Sequence, residues 1–362
     1  MKMSMDSPIP TAVQQVGEFL DVSWEIKFLQ FSSDSQYLAA TTDGGPIQMW
    51  DRRTSEKQEL SPLLRKERVA SLHIIKDVCI ATSYIPFMGY MMRQGQRISD
   101  SDGIVYVRRS DQASVLRLMH EAAPSGAMCS QNGQIIVTTD MARTIRVWHA
   151  QTGHLLAAHN WEGGTQGESS RNIFAISPDD QFLALCCDKK RHVLQIWRLD
   201  PRTHQMQSVA SRDDVPFISI LTMTDDGQHV IAAVGGFPAT ALHIYTVPTL
   251  TLVERIPLPV ESSPQMAILS FSASARHACV ALLLRDARVW IWHRPSQQYL
   301  FSFQSYPFVH LPKAPYFNAR TVAWSPDGAY LATGGFFPDA PHAPLNMFSV
   351  RLWQIEEAEK RF

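Results

Sequence analysis

One unit recurs along nearly the whole chain, and no other feature narrows the fold as far. It consists of a short apolar strand, a polar turn, a second apolar strand, a polar loop and a third strand that closes on an aromatic. Near the carboxyl end it runs from Thr321–Trp324 through Ser325-Pro326-Asp327-Gly328 to Tyr330–Thr333, and later to Ser349–Trp353. Equivalent turns are Ser32–Ser35, Ser130–Gly133, Ser177–Asp180, Thr224–Gly227 and the degenerate Ser272–Ala275. Most are rich in residues that tolerate tight-turn geometry. The third strands close on Trp50, Trp148, Trp197, Tyr245, Trp292 and Trp353, and the turn-to-aromatic distance is 18 residues from Ser32 to Trp50 and from Ser130 to Trp148. It is 20 residues from Ser177 to Trp197 and from Ser272 to Trp292, an agreement that scattered tryptophans would not produce.

Trp50 and Trp148 lie 98 positions apart, about twice the usual spacing, and a degenerate unit fits between them: Val69–Ile75, Val78–Thr82 and Ile104–Arg108. The number of units becomes seven. After most third strands comes a fourth alternating strand, as in His154–Ala158, Leu252–Ile256 and Tyr299–Phe303. Four strands every 40 to 60 residues describe the blades of an all-β, seven-bladed propeller. A lone four-stranded sheet with two apolar faces must stack on neighbours, and closing the array removes its exposed ends. The last unit has only three strands by Trp353, so its fourth is expected from the amino-terminal segment around Ala12–Val16. The expected organisation is a flexible segment over 1–10, one propeller domain over 11–356 and a tail over 357–362.

The pattern resembles the WD-repeat propeller family. Val137-Thr138-Thr139-Asp140 followed by Thr144-Ile145-Arg146-Val147-Trp148 is the best match, with Ser325–Gly328 and the lone Trp-Asp pair Trp50-Asp51 beside it. Elsewhere the aromatic is followed by His149, Arg198, His293 or Gln354. The family's Gly-His dipeptide is missing ahead of the first strands, and the single copy, Gly153-His154, opens a fourth strand. The hydrogen-bond network that joins that His to the turn Asp and the Trp is therefore not expected in most blades. What the resemblance implies is a rigid scaffold that holds peptides or other domains.

Composition bounds the rest. The 362 residues are 45% hydrophobic and 19% charged, enough apolar content for a large core and too little charge for a disordered scaffold. The net charge of -1 creates no global field toward nucleic acid or an anionic membrane. Met1–Pro10 lacks a basic stretch leading into an apolar run, and no apolar stretch reaches the length of a bilayer span, so a cytoplasmic protein without membrane insertion is expected. Five cysteines, Cys79, Cys129, Cys186, Cys187 and Cys279, form no CxxC pair and read as reduced, buried thiols.

Consecutive strands alternate in direction, so connections from second to third strand and from fourth to next first strand share one rim. Every long insertion falls there: Ser83–Asp102, Asn160–Ser170, Ser305–Asn318 and Phe336–Asn346. Loops on a rigid scaffold are the usual place for binding residues. Phe87, Met88, Tyr90, Met91 and Met92 in the first, Trp161 in the second, and Phe336 and Phe337 in the last are the candidate partner-binding residues. Two basic clusters on this rim, Arg65, Lys66 and Arg68 and then Lys189, Lys190 and Arg191, are the candidate anion-binding residues. Arg52-Arg53 and Arg108-Arg109 fall after third strands on the opposite rim.

No nucleophile elbow, HExxH motif or phosphate-binding Gly-rich loop occurs. The reading is a non-catalytic interaction scaffold or complex subunit, monomeric alone, that binds another protein or peptide over blades seven, one and two and uses no cofactor or metal. The alternatives are a propeller hydrolase or lactonase-like enzyme with an axial metal, or a binder of phosphoinositide or nucleic acid through the basic loops.

Overall fold

The computed structural model describes residues 8–22, 26–42, 46–59, 68–75, 78–84, 103–140, 142–160, 173–187, 193–200, 203, 205–236, 239–259, 267–306, 319–336 and 348–357. Strand β1 (Pro10–Val22) comes first. Blade one is β2 (Ile26–Phe31), β3 (Tyr37–Thr42), β4 (Gln48–Asp51) and β5 (Lys57–Glu59). Blade two is β6 (Arg68–Ile75), β7 (Val78–Tyr84), β8 (Ile104–Arg109) and β9 (Leu116–Met119). Blade three is β10 (Pro124–Cys129), β11 (Ile135–Asp140), β12 (Thr144–His149) and β13 (Leu155–Asn160). Blade four is β14 (Ile173–Ile176), β15 (Phe182–Cys187), β16 (Val193–Leu199) and β17 (Met206–Arg212). Blade five is β18 (Ile218–Met223), β19 (His229–Val234), β20 (Ala241–Thr246) and β21 (Leu252–Pro257). Blade six is β22 (Ile268–Ser274), β23 (Cys279–Leu284), β24 (Arg288–His293) and β25 (Gln298–Gln304). Blade seven is β26 (Ala319–Trp324), β27 (Tyr330–Phe336) and β28 (Phe348–Glu357), and β1 completes it.

Seven four-stranded antiparallel sheets therefore form a closed ring, with the degenerate second unit in its expected place. The closing strand is longer than the sequence suggests. β1 pairs with β28 from Pro10 opposite Glu357 to Val22 opposite Phe348, across three bulges.

Period-two patterning explains why the sheets stack. Along β12, Val147 and Ile145 join an apolar cluster with Leu183, Leu185 and Trp197 of blade four, while Trp148 points the other way, among Val105, Val107 and Leu118 of blade two. There is one such cluster at each of the seven interfaces. Second strands are covered on both faces: all six residues of β23, Cys-Val-Ala-Leu-Leu-Leu, and all six of β11, Ile-Ile-Val-Thr-Thr-Asp, are buried.

The turn from first to second strand has one chemistry in five blades. In blade one the Ser32 hydroxyl donates to Asp34 Oδ1 at 2.5 Å, the Gln36 amide donates to the same oxygen at 3.0 Å, and the Tyr37 amide donates to Ser32 Oγ at 2.9 Å. Ser130 with Asn132, Ser177 with Asp179, Thr224 with Asp226 and Ser325 with Asp327 repeat it. Blade six differs from expectation: β22 continues to Ser274 and the turn falls at Ala275–Ala278. The cause is a role for Ser272 in the strand, where its hydroxyl accepts the Trp324 amide of blade seven at 2.9 Å. Ser270 takes the Val322 amide at 3.3 Å, and Ser71 takes the Cys129 amide at 3.3 Å. Small hydroxyls on innermost strands thus satisfy amides of the next blade that no strand pairs.

Candidate functional site

The third-strand aromatics are packing residues, and their polar atoms find partners in more than one way. Trp148 Nε1 donates to Thr138 Oγ1 at 2.7 Å and Trp353 Nε1 to Thr333 Oγ1 at 2.9 Å. Trp197 Nε1 donates to Gln195 Oε1 at 3.1 Å, and Trp292 Nε1 reaches Glu254 Oε1 on blade five at 2.7 Å. Register shows that Arg108 stands in the same slot of blade two. Trp148 pairs with Ile136, two residues before Thr138, and Arg108 pairs with Ala81, two residues before Ser83, to which it donates at 2.8 Å. Arg108 is consequently buried inside the fold, which removes it from the rim where the sequence placed it. Arg52 lies 4.0 Å from the Tyr330 ring centroid and donates to the Ser35 carbonyl, so it joins blades one and seven. Arg109 pairs with Asp111.

A buried polar cluster sits where blades two and three meet. Asp140, at the end of β11, takes the Thr144 amide at 3.0 Å and pairs with Arg146; His120 Nδ1 lies 3.4 Å from Asp140 and 3.1 Å from Arg146. Burial would raise the Asp140 carboxyl, but the bonds from His120, Thr144 and Arg146 hold it below the usual carboxylate range. His120 follows Met119, not a glycine, so the dipeptide pattern does not reveal it. The His120 amide donates to the carbonyl of Gly103 at 2.5 Å, and a Cβ at Gly103 would overlap the His120 carbonyl oxygen. The blade-two insertion therefore re-enters the sheet at a point fixed to blade three. On its other side Tyr84, the last residue of β7, donates its hydroxyl to the Ser125 carbonyl at 2.9 Å.

Blade one lies between the insertions of blades seven and two and exposes Phe28, which is 37% accessible on innermost strand β2. The same register position holds Ser71, Gly126, Ser270 and Thr321 in four other blades and Ile220 in blade five, so an aromatic ring here is peculiar to blade one among the blades that share this bulge. Its strand is held firmly: β27 approaches so closely that a Cβ on Gly334 would meet Ile26 Cγ2 at 2.8 Å. No sequence signal distinguished Phe28, because it falls within an apolar strand pattern.

The side chains of Phe87, Met88, Tyr90, Met91, Met92, Trp161, Phe336 and Phe337 lie outside the described residues, as do those of Arg65, Lys66, Arg68, Lys189, Lys190 and Arg191. Only the backbones of Arg68 and Phe336 are placed, as terminal residues of β6 and β27. In the connection to blade seven, Tyr306 is fully buried, with its hydroxyl 2.7 Å from the Ser349 carbonyl and 2.8 Å from that of Thr333. The start of this connection is therefore packed into the blade and unavailable to a partner.

Among the described residues no group of three or more His, Cys, Asp or Glu is placed to hold a metal ion. Cys79, Cys129, Cys186 and Cys279 are buried, and burial pushes each thiol up to about 12, which keeps them from acting as nucleophiles.

These features define a closed seven-bladed β-propeller in which described polar side chains hold turns and join neighbouring blades. A family model described as "WD domain, G-beta repeat" matches residues 315–336, which enclose β26 and β27. The structure is similar to the crystal structure of the β-propeller domain of Cps50 (Swd1) from Myceliophteria thermophila. That likeness has a TM-score of 0.66 and 14% sequence identity, and covers 95% of this chain and all of the other. No curated protein matches the sequence significantly.

Proposed function

We propose that the protein is a non-catalytic scaffold, or one subunit of a larger assembly, that binds another polypeptide on the rim over blades seven, one and two. The observation that carries this reading is Phe28: an exposed aromatic on an innermost strand, at a position small in most blades and flanked by two long insertions. Aromatic residues on a rigid frame supply contact area at little entropic cost and dominate protein interfaces. Gly103, Tyr84 and Gly334 supply that frame. The resemblance to the propeller domain of Cps50 agrees with a scaffold. A cytoplasmic setting, with the chain monomeric until it meets its partner, belongs to the same reading.

The test is affinity purification from the native cell, with quantitative mass spectrometry, of the wild type against Phe28→Asp and against a triple Ser variant of Phe87, Met91 and Phe337. Loss of a stoichiometric partner with melting temperature within a few degrees of wild type is expected. An unchanged partner set with both stable variants would move the interface elsewhere.

A further inference from the structure

A second surface lies on the outer edge of the ring, away from the rim just described. Register puts Arg255 of β21 directly opposite His243 of β20, so both side chains leave the sheet on one face, with Tyr245 two residues along. That face meets blade four: Tyr245 packs among Cys186, Leu194 and Ile196, and the Arg212 guanidinium at the end of β17 lies 5.6 Å from the Tyr245 ring centroid. Glu254 points the other way, to Trp292 and Arg294 of blade six. A cleft between the outer halves of blades four and five is thus bordered by Arg212, Tyr245, His243 and Arg255.

Among the described residues its charges do not balance. Arg212 is neutralised by Asp214, at 2.6 and 2.8 Å, and also donates to the Leu250 carbonyl. Arg255 is exposed and makes no ion pair or hydrogen bond among the described residues. The Tyr245 hydroxyl lies 3.1 Å from His243 Nδ1. Burial, together with Arg255 and Arg212, holds His243 below the usual imidazole value. In the tautomer in which Nδ1 accepts from Tyr245, the proton sits on Nε2, and Nε2–H and the Arg255 guanidinium are then two donors with no charge partner for Arg255 among the described residues. The neighbouring outer strands add apolar shoulders: Val209 of β17 and Val253 of β21 occupy equivalent bulges and are 41% and 47% accessible.

We propose that this cleft binds a carboxylate side chain of an extended partner segment, with Arg255 and His243 holding the oxyanion and Val209 and Val253 receiving the apolar residues on either side. Charge complementarity selects the occupant, because a neutral strand would leave Arg255 unmatched and a basic one would be repelled.

The test uses the full chain and two probes, acetyl-Val-Glu-Val-amide and acetyl-Val-Gln-Val-amide, followed through the His243 imidazole resonances by NMR at pH 7.5. The Glu probe should shift them with a Kd of roughly 1–10 mM, and the Gln probe should bind at least about fivefold more weakly. Arg255→Ala should weaken the Glu probe by a similar factor; Arg255→Gln, which keeps more of the stem, serves if the Ala variant melts early. Equal response to both probes, or full response in the Arg255 variants, would overturn the proposal. An inorganic phosphate titration that moves His243 while the Glu probe does not would assign the cleft to phosphate instead and likewise overturn it.

Discussion

Glu18 Oε1 accepts hydrogen bonds from Ser349 Oγ and from Arg351 Nε, each at 2.9 Å, so a carboxylate on the amino-terminal strand is bound to two side chains near the carboxyl end. Arg351 also donates to the Ser305 carbonyl, at 2.9 Å, and its guanidinium lies 4.6 Å from the Tyr306 ring centroid. Along the same strand Val13 packs on the blade six–seven cluster and Phe19 stacks on Trp50 at 5.2 Å. Removing residues 1–22 should therefore lower the melting temperature by about 10 °C or more, since strand pairing and apolar burial go together. Removing 358–362 should change it little. The boundary matters, because Glu357 pairs with Pro10 and accepts from His277 at 3.1 Å. Equal melting of the two truncations in calorimetry would refute the latch.

Trp148 offers a separation of packing from hydrogen bonding. Trp148→Ala should cost roughly 3–5 kcal/mol, as for other large core truncations. Thr138→Val keeps the volume but strands the indole N–H, for about 1–3 kcal/mol. Urea melts resolve the two. A near-neutral Trp148→Ala would mean that the ring is not the packing residue described above.

Glu254 serves two partners across a blade boundary, Trp292 Nε1 at 2.7 Å and Arg294 Nε at 2.9 Å, and the side chains of the ion pair are about one-tenth exposed or less. Glu254→Ala leaves a buried guanidinium and an indole N–H unmatched, at an expected cost of about 3–5 kcal/mol. The double variant Glu254→Ala, Arg294→Met should recover a large part, because it removes the stranded charge. A double-mutant cycle showing additive losses would sink this account.

The ring was legible because apolar alternation and turn spacing survive where individual signature residues do not. Val69–Ile75 and Ile104–Arg108 mark blade two although its aromatic slot holds Arg108, whose stem packs and whose guanidinium reaches Ser83. Contacts between residues far apart in sequence left no such trace. His120 lies beside Asp140 and Arg146 only once blades two and three stack, and Arg255 and Arg212 act on one imidazole, His243, only once blades four and five stack. Glu254 on an outer strand reads as a solvated charge until blade six closes over it. Phe28 escaped for the opposite reason, since alternation marks a strand but does not say which apolar residue the axis leaves uncovered.

Asp180 gives a pH test with a definite sign. It takes a positive φ of 60° in the blade-four turn and accepts from Asn132 Nδ2 of blade three at 2.6 Å. Burial pushes its carboxyl up to about 6, with the charge of Asp179 adding to the rise and the Asn132 bond opposing it. A folded-state value above the unfolded 3.8 means that the folded chain binds the proton more tightly. The group therefore favours folding fully below about 4, and that contribution is lost as pH rises through about 6. Asp180→Asn removes a charge that is unfavourable at neutral pH and keeps a residue that tolerates this φ. It should raise the melting temperature at pH 7.5, and the gain should shrink as pH falls from 6 toward 4. The buried His73 and His277 act in the reverse sense. Burial holds both below the ordinary 6.5, so the stability they contribute above that value declines as pH falls toward their folded-state values. The variant must then be compared with wild type at each pH, since both lose stability in acid for the histidines' reason. Calorimetric scans from pH 4.5 to 8 decide the matter: a pH-independent difference would show that the Asp180 carboxyl does not titrate in this range.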